Sequence, residues 1–350
     1  MTQNPRHIVI SDEEHALPYS KGLMASSIMA TGLPPARAFQ VAERIEERLR
    51  ERDVPSITRA ELSDLASEVL VDLVGQRYAD SFAKWQVVNR VDRPLIILIG
   101  GATGVGKSTV ATQLASRLGI TRIIPTDAVR EVMRAMFSEE LMPTLHTSSF
   151  DAVHLVRHPL PRNADPVIIG FREQAAAVAV GAQALMRRAV AENTDLVLEG
   201  AHLVPGFFDP AEFTGAFVVQ FVIAVDDPEA HRSHFLARAH DNRSRPSDRY
   251  LDFFDNIRTI QRYVKSLALE RSVPIVHSYS LDATLAQVIE LVVSRAIEGI
   301  PPANGNHSGG QPANGDHSSG HPAGSHSGVS PASPSMNLLH EASARRTHDR

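Results

Sequence analysis

Residues 95–109 read Leu-Ile-Ile-Leu-Ile-Gly-Gly-Ala-Thr-Gly-Val-Gly-Lys-Ser-Thr. The uninterrupted apolar run up to Gly100 predicts a strand covered on both faces, because a half-exposed strand would alternate with polar residues. Gly101–Ser108 fits G-x-x-x-x-G-K-[ST] in full. Val105–Leu118 then predicts an amphipathic helix closed by Gly119. In that strand–loop–helix setting the glycines let the backbone curl, so that successive N–H groups face phosphate oxygens and the positive end of the helix dipole adds to them. Lys107 is placed for the β- and γ-phosphates of ATP and Ser108 for Mg²⁺. Gly101, Ala102, Thr103, Gly104, Val105, Gly106 and Thr109 complete the expected nucleotide-binding set. A plain strand–helix turn would not require Lys-Ser after its last glycine.

Downstream, further short apolar runs alternate with helical stretches: 122–127, 196–200, 217–225 and 274–278. That alternation predicts an α/β domain over residues 91–300, with a parallel sheet flanked by helices. Upstream, residues 1–90 read as a small, mostly helical domain. Ser20 caps one segment, and Pro34-Pro35 opens another with Ala38, Val41, Ala42, Ile45 and Leu49 on one face. Thr58-Arg59-Ala60-Glu61 is a capping box before a helix expected to run on through Trp85, and His7–Ile10 is the single strand expected there. Residues 301–350 form a decaying Pro/Ala/Asn/Gly/His/Ser repeat with almost no apolar bulk. Such a composition cannot offset the entropy of ordering and predicts a disordered tail. Six of the 16 histidines lie in it; weak binding of a transition metal is one reading, and a solvated linker is the plainer one.

Composition narrows the class. A chain of 350 residues with 43% hydrophobic residues can bury a real core, and the lack of cysteine excludes disulfides, thiolate metal sites and a thiol nucleophile. The net charge of -5 argues against a nucleic-acid binder. No apolar run reaches membrane-spanning length and no secretory leader is visible, so a cytoplasmic protein without membrane contact is expected. Of 35 basic residues only Lys21, Lys84, Lys107 and Lys265 are lysine. A lysine at position 107 is therefore pointed, since a compact ammonium serves there where a planar guanidinium would not.

What happens to the nucleotide is read elsewhere. The strand at 196–200 ends in one carboxylate, Glu199, which suits a magnesium-side or acceptor-side role better than the water activator of a hydrolytic motor. No Asn-Lys-x-Asp guanine reader is present. The strand at 122–127 ends in Thr126-Asp127, with Arg130 three residues on. A carboxylate at the carboxyl end of that strand faces the crevice, where it can align an acceptor hydroxyl or take its proton. The plainer role for Asp127 is a helix N-cap. Residues 232–262 hold seven arginines, and His240–Arg249 reads as a loop between two helices. Arginines on a closing loop would neutralise charge on a transferred phosphoryl group, whereas a solvated helix face is the bland alternative. Asp227-Pro228 reads as a helix start. The His154/His158 pair lacks a glutamate for zinc chemistry. Met133-Arg134-Ala-Met136 reads as core, with Arg134 in reach of an acceptor.

Three blocks carry a resemblance: Ile97–Thr109, Thr126-Asp-Ala-Val-Arg-Glu-Val-Met-Arg134, and Pro143-Thr-Leu-His146-Thr-Ser148-Ser149-Phe150. Together they resemble the 2-phosphoglycerate kinase family over about residues 7–298. The resemblance implies a P-loop kinase core of the adenylate-kinase group, preceded by an ATP-cone-like module, although Ser11-Asp12-Glu13-Glu14 stands where such cones carry a basic, glycine-containing turn. It implies ATP and Mg²⁺ as cofactors and a phosphorylated acid as substrate, with 2,3-diphosphoglycerate as product. The catalytic set would be Lys107, Asp127, Arg130, Arg243 and Arg245. The acceptor would meet Arg130, Arg134, His146, Ser148, Ser149, Arg238 and Arg249, and the metal Ser108, Asp127 and Glu199. A homo-oligomer through the N-terminal domain is a further expectation. Two alternatives remain open: a kinase for another metabolite such as an inositol phosphate, and a non-catalytic ATP sensor.

Overall fold

A computed structural model describes residues 9–11, 16–52, 56–157, 162–241 and 247–300. These all lie within one compact unit, Met1–Pro302. The tail expectation for residues 301–350 falls outside the described residues.

The chain enters through β1 (Val9–Ser11) and β2 (Ala16–Pro18), then α1 (Lys21–Met29) and α2 (Pro35–Glu51). It continues through β3 (Ser56–Thr58), α3 (Arg59–Val74) and α4 (Gln76–Arg90). Ser20 Oγ accepts from Leu23 N–H, and Thr58 and Glu61 form the expected reciprocal capping box. Ala38, Val41, Ala42, Ile45 and Leu49 of α2 are all buried, in a cluster with Ile28, Leu65, Leu70 and Phe82. Two expectations need correction. The helix from Arg59 does not run through Trp85: it stops at Gly75, whose φ of 103° and ψ of 162° lie where only glycine is at ease. Nor is there a single strand. β1 pairs antiparallel with β2 and parallel with β3; strands of three residues are too short to show a period.

The second half runs β4 (Leu95–Gly100), α5 (Lys107–Leu118), β5 (Ile123–Pro125), α6 (Thr126–Met136), α7 (Pro166–Ala191), β6 (Leu196–Glu199) and β7 (Phe217–Ala224). It closes with α8 (Pro228–Asp241), α9 (Ser247–Asp252), α10 (Phe254–Glu270), β8 (Ile275–His277) and α11 (Leu281–Glu298). Short 3-10 turns span Pro143–His146, Ala152–Leu155 and Pro210–Phe213. The five strands form one parallel sheet in the order β5-β6-β4-β7-β8. β4 is central, and all six of its residues are buried. Leu95, Ile97 and Ile99 pack into a cluster with α5 and α11, while Ile96 and Leu98 pack with Ala182 and Met186 of α7. Helices therefore cover both faces, as a continuous apolar strand demands. This is the α/β architecture expected for residues 91–300, with the glycine loop at the carboxyl end of the central strand.

Between α4 and α11 the ion pair Arg77–Glu290 spans 2.7 Å, but both side chains are well exposed. Such a pair is worth only about 0.2–1 kcal/mol. The burial of Trp85 and Val88 beside Val288, Val292 and Val293 is the larger contribution. Replacing Gly75 with alanine meets no steric obstacle within 4 Å, so its cost isolates backbone strain. The Gly75→Ala protein should lose about 1–3 kcal/mol of stability, measured as a lower urea midpoint at unchanged slope.

Candidate active site

The phosphate loop is wedged between neighbours on every side. Gly101 has φ 134°, and a Cβ there would come within 2.3 Å of the Ile223 carbonyl oxygen. Gly104 has φ 88°, and a Cβ would meet the Phe235 ring at 2.2 Å. Ala102 and Val105 are fully buried and anchor the loop to the core. Lys107 opens α5, and its Nζ donates to the Ala102 carbonyl at 2.7 Å, so the ammonium folds back over the loop. Ser108 Oγ donates to Glu199 Oε1 at 2.8 Å. Thr109 is exposed on the first turn of α5.

Glu199 is only 7% exposed. It ends β6, beside Ile99 in the register of the sheet. A hydroxyl at the open end of the loop beside a buried carboxylate, both hard oxygen donors, suits Mg²⁺. Among the described residues no group of three or more His, Asp or Glu side chains could hold a metal unaided. A cation here would take its other oxygens from the nucleotide and water.

Asp127 is not an N-cap. The helix starts one residue earlier, with Pro125 at the cap position and no side-chain cap bond. The Asp127 side chain is instead 76% exposed, 3.7 Å from Arg130 Nε. Arg130, whose side chain is 14% exposed, turns inward. Its Nη1 donates to the carbonyls of Leu145 (3.0 Å) and Thr147 (2.8 Å), and its Nη2 to Glu131 (2.8 Å). It thus ties the 143–147 segment to α6. On that segment His146 Nε2 donates to the Phe137 carbonyl at 3.0 Å, and Ser148 and Ser149 are half-buried. Arg134 pairs with Glu131 at 2.7 Å.

The arginine-rich stretch differs from its expectation. Arg249 lies on α9, not in a loop, and binds Asp151 at 3.2 Å. Arg238 belongs to α8. Arg243 and Arg245 lie outside the described residues. Asp227 does start α8, accepting from Glu229 N–H at 2.9 Å. Met136 is not core: it is 72% exposed, whereas Met133 packs inward.

A buried polar chain that sequence reading missed links the two halves of the site. His202 Nδ1 lies 2.8 Å from Thr126 Oγ1, and its Nε2 lies 3.0 Å from Gln174 Oε1. Gln174 Nε2 donates to the Thr144 and Thr147 carbonyls. Since the amide nitrogen is committed to carbonyls, its oxygen must accept from His202 Nε2–H, and Nδ1 in turn accepts from the Thr126 hydroxyl. Burial pushes the His202 pKa down to about 4; Asp127 opposes this, while Arg130 and Lys107 add to it. The only sequence signal was a histidine three residues beyond Glu199, and Gln174 was hidden in an alanine-rich helix.

Similar sequences extend over more than four-fifths of the chain. A 2-phosphoglycerate kinase of Methanopyrus kandleri is 36% identical over 295 residues, covering 84% of this chain and 89% of its own. One from Methanothermobacter thermautotrophicus is 36% identical over 83% of this chain and 95% of its own, and one from Thermococcus kodakarensis is 36% identical over 81% and 96%. The chain belongs to the 2-phosphoglycerate kinase family. No family model matches it. Among solved structures, a shikimate kinase from Bacteroides thetaiotaomicron covers 57% of this chain at 16% identity, with a TM-score of 0.33. The blocks Thr126–Arg134 and Pro143–Phe150, which carried the resemblance to 2-phosphoglycerate kinases, are the two segments joined by Arg130 and by the His202–Gln174 chain.

Two neutral histidines make stability pH-dependent. His231 is also pushed down to about 4, mainly by burial, against about 6.5 in an unfolded chain. The unfolded state then binds more protons below pH 6.5, so stability is full above that pH and falls as pH drops toward 4. Between pH 6 and 5 the unfolding free energy should fall with a slope approaching ~2 kcal/mol per pH unit. Denaturant titrations should show this, and His202→Gln should have a shallower slope.

Proposed function

We propose that the protein transfers the γ-phosphoryl group of ATP to the free hydroxyl of 2-phosphoglycerate, releasing ADP and 2,3-diphosphoglycerate. The observation that carries this is membership of the family over more than four-fifths of the chain. Buried Lys107 and Glu199, with Ser108 between the loop and Glu199, beside the Thr126–Arg130 turn, support it.

Gly101–Thr109 holds the triphosphate, with Lys107 swinging from the Ala102 carbonyl to the β- and γ-phosphates. Ser108 and Glu199 would hold Mg²⁺, with Asp127 contributing through water. Bound there, the cation would neutralise charge shared by the β- and γ-phosphates. Asp127, exposed at the mouth, presents the acceptor hydroxyl in line with the γ-phosphorus and takes its proton. The acceptor combines a phosphate of nearly two negative charges with a carboxylate. Arginine forks suit such a ligand because they bind oxyanions two at a time. Arg130, Arg134, His146, Ser148, Ser149, Arg238 and Arg249 line its site, and Arg243 and Arg245 offset charge on the group in flight. The kinase portion covers residues 91–300. Residues 1–90 serve as an ATP-cone-like or oligomerising domain, and the protein acts in the cytoplasm.

Phosphoryl transfer depends on positioning and charge, with little covalent chemistry for side chains to perform. Lys107→Ala should therefore lower kcat at least ~10²-fold, measured as ADP release that requires 2-phosphoglycerate. A variant within a few-fold of wild type would contradict the assignment. Glu199→Gln should raise the Mg²⁺ concentration needed for half-maximal rate while leaving the KM for 2-phosphoglycerate within about threefold. If an acceptor panel showed faster turnover of an inositol phosphate than of 2-phosphoglycerate, the substrate would be reassigned.

A further inference from the structure

Helix α8 holds the outer side of the phosphate loop. His231 is fully buried, and its Nε2 lies 2.8 Å from the carbonyl oxygen of Thr103. Three residues on, His234 Nδ1 lies 3.0 Å from the carbonyl oxygen of Gly104. A carbonyl only accepts, so both ring nitrogens donate. The other side of His231 agrees: its Nδ1 faces Arg258 Nη1 at 3.5 Å, and a guanidinium only donates. Arg258 is itself fixed by the Val225 and Asp226 carbonyls, each at 2.7 Å. Next to His234 on the helix, the Phe235 ring stacks on His231 and on Tyr250, at centroid distances of 5.4 and 5.2 Å. It occupies the space that a side chain at Gly104 would need.

These contacts set the loop's peptide planes. Across a trans peptide the C=O and N–H point in opposite directions. With the Thr103 carbonyl turned toward α8, the N–H of Gly104 points away from it. The Gly104 carbonyl does the same for the N–H of Val105. Glycines at φ 88° and 92° border this segment, and glycine moves between conformations at little cost. Without an external hold, the peptides would have to be ordered at the expense of binding.

We propose that His231 and His234 are positioning residues for the nucleotide, holding the Gly104 and Val105 amides in phosphate-binding orientation before the ligand arrives. This rests on the loop being a nucleotide site, and adds that part of its affinity is built on a helix more than 120 residues away in sequence.

Calorimetric titration with Mg-ADP tests it. The pair His231→Phe/His234→Leu keeps bulk and removes both donors. The pair His231→Gln/His234→Asn puts an amide N–H where each ring N–H stood. The first should bind Mg-ADP about tenfold or more weakly, with 2-phosphoglycerate affinity within about twofold of wild type. The second should stay within about threefold for both ligands. A first pair that binds Mg-ADP as wild type does, or a second that loses as much as the first, overturns the proposal. Should the first pair not fold, His234→Leu against His234→Asn decides by the same criteria. Wild-type protein that binds no Mg-ADP would instead overturn the nucleotide reading of the loop, and this proposal with it.

Discussion

A backbone can hold a phosphate only when several N–H groups aim at one point and stay aimed there. The six buried residues of β4 deliver Gly101–Lys107 to the carboxyl end of the sheet with no slack. Around the loop, the Ile223 carbonyl and the Phe235 ring stand where extra side-chain atoms would have to go, and the imidazoles of α8 hold two of its carbonyls. The sheet order follows from the same need. With β6 and β7 on its two edges, β4 ends in a crevice whose walls can carry charged groups to the loop from both directions.

The wall from β6 and β5 is polar and buried, and its energetics are unforgiving. An unpaired donor or acceptor there costs about 1–3 kcal/mol, more than a satisfied bond returns. Every hydrogen-bonding ring nitrogen and amide atom of His202 and Gln174 has a partner, which leaves one tautomer and one amide orientation. The result is a rigid link from the start of α6 to the 143–147 segment. Arg130 makes a second link by a different route. Glu199, Thr126 and Gly200 meet at the junction; a Cβ on Gly200 would overlap Thr126 Oγ1.

The opposite wall is aromatic. Phe150, Phe235, Tyr250, Phe253 and Phe254 contact one another at centroid distances of 5.2–6.4 Å. Tyr250 touches both Phe235, under the phosphate loop, and Phe150, at the end of the Pro143–Phe150 block. Phosphate loop and acceptor-side segment thus share one packed support. Apolar burial supplies its stability, while the histidines of α8 and the Arg249–Asp151 pair supply direction.

Much of this was legible in the residues alone. The apolar run ending in the glycine loop announced a doubly covered strand, because period and composition depend only on neighbours along the chain. The caps at Ser20, Thr58 and Asp227 were readable for the same reason, and the three specific blocks carried the family. What stayed hidden is of a different kind. Gly75 looked like one more residue in a helix until its positive φ broke the run. Asp127 resembled a cap until the helix started at Thr126. His202, Gln174, His231 and His234 carry no local pattern, since each is defined by a partner 28 to 130 residues away. Linear sequence specifies elements and the loop between them. Which distant polar atoms meet, and therefore which tautomer, amide face or peptide plane each adopts, is decided only when packing brings them together and excludes water.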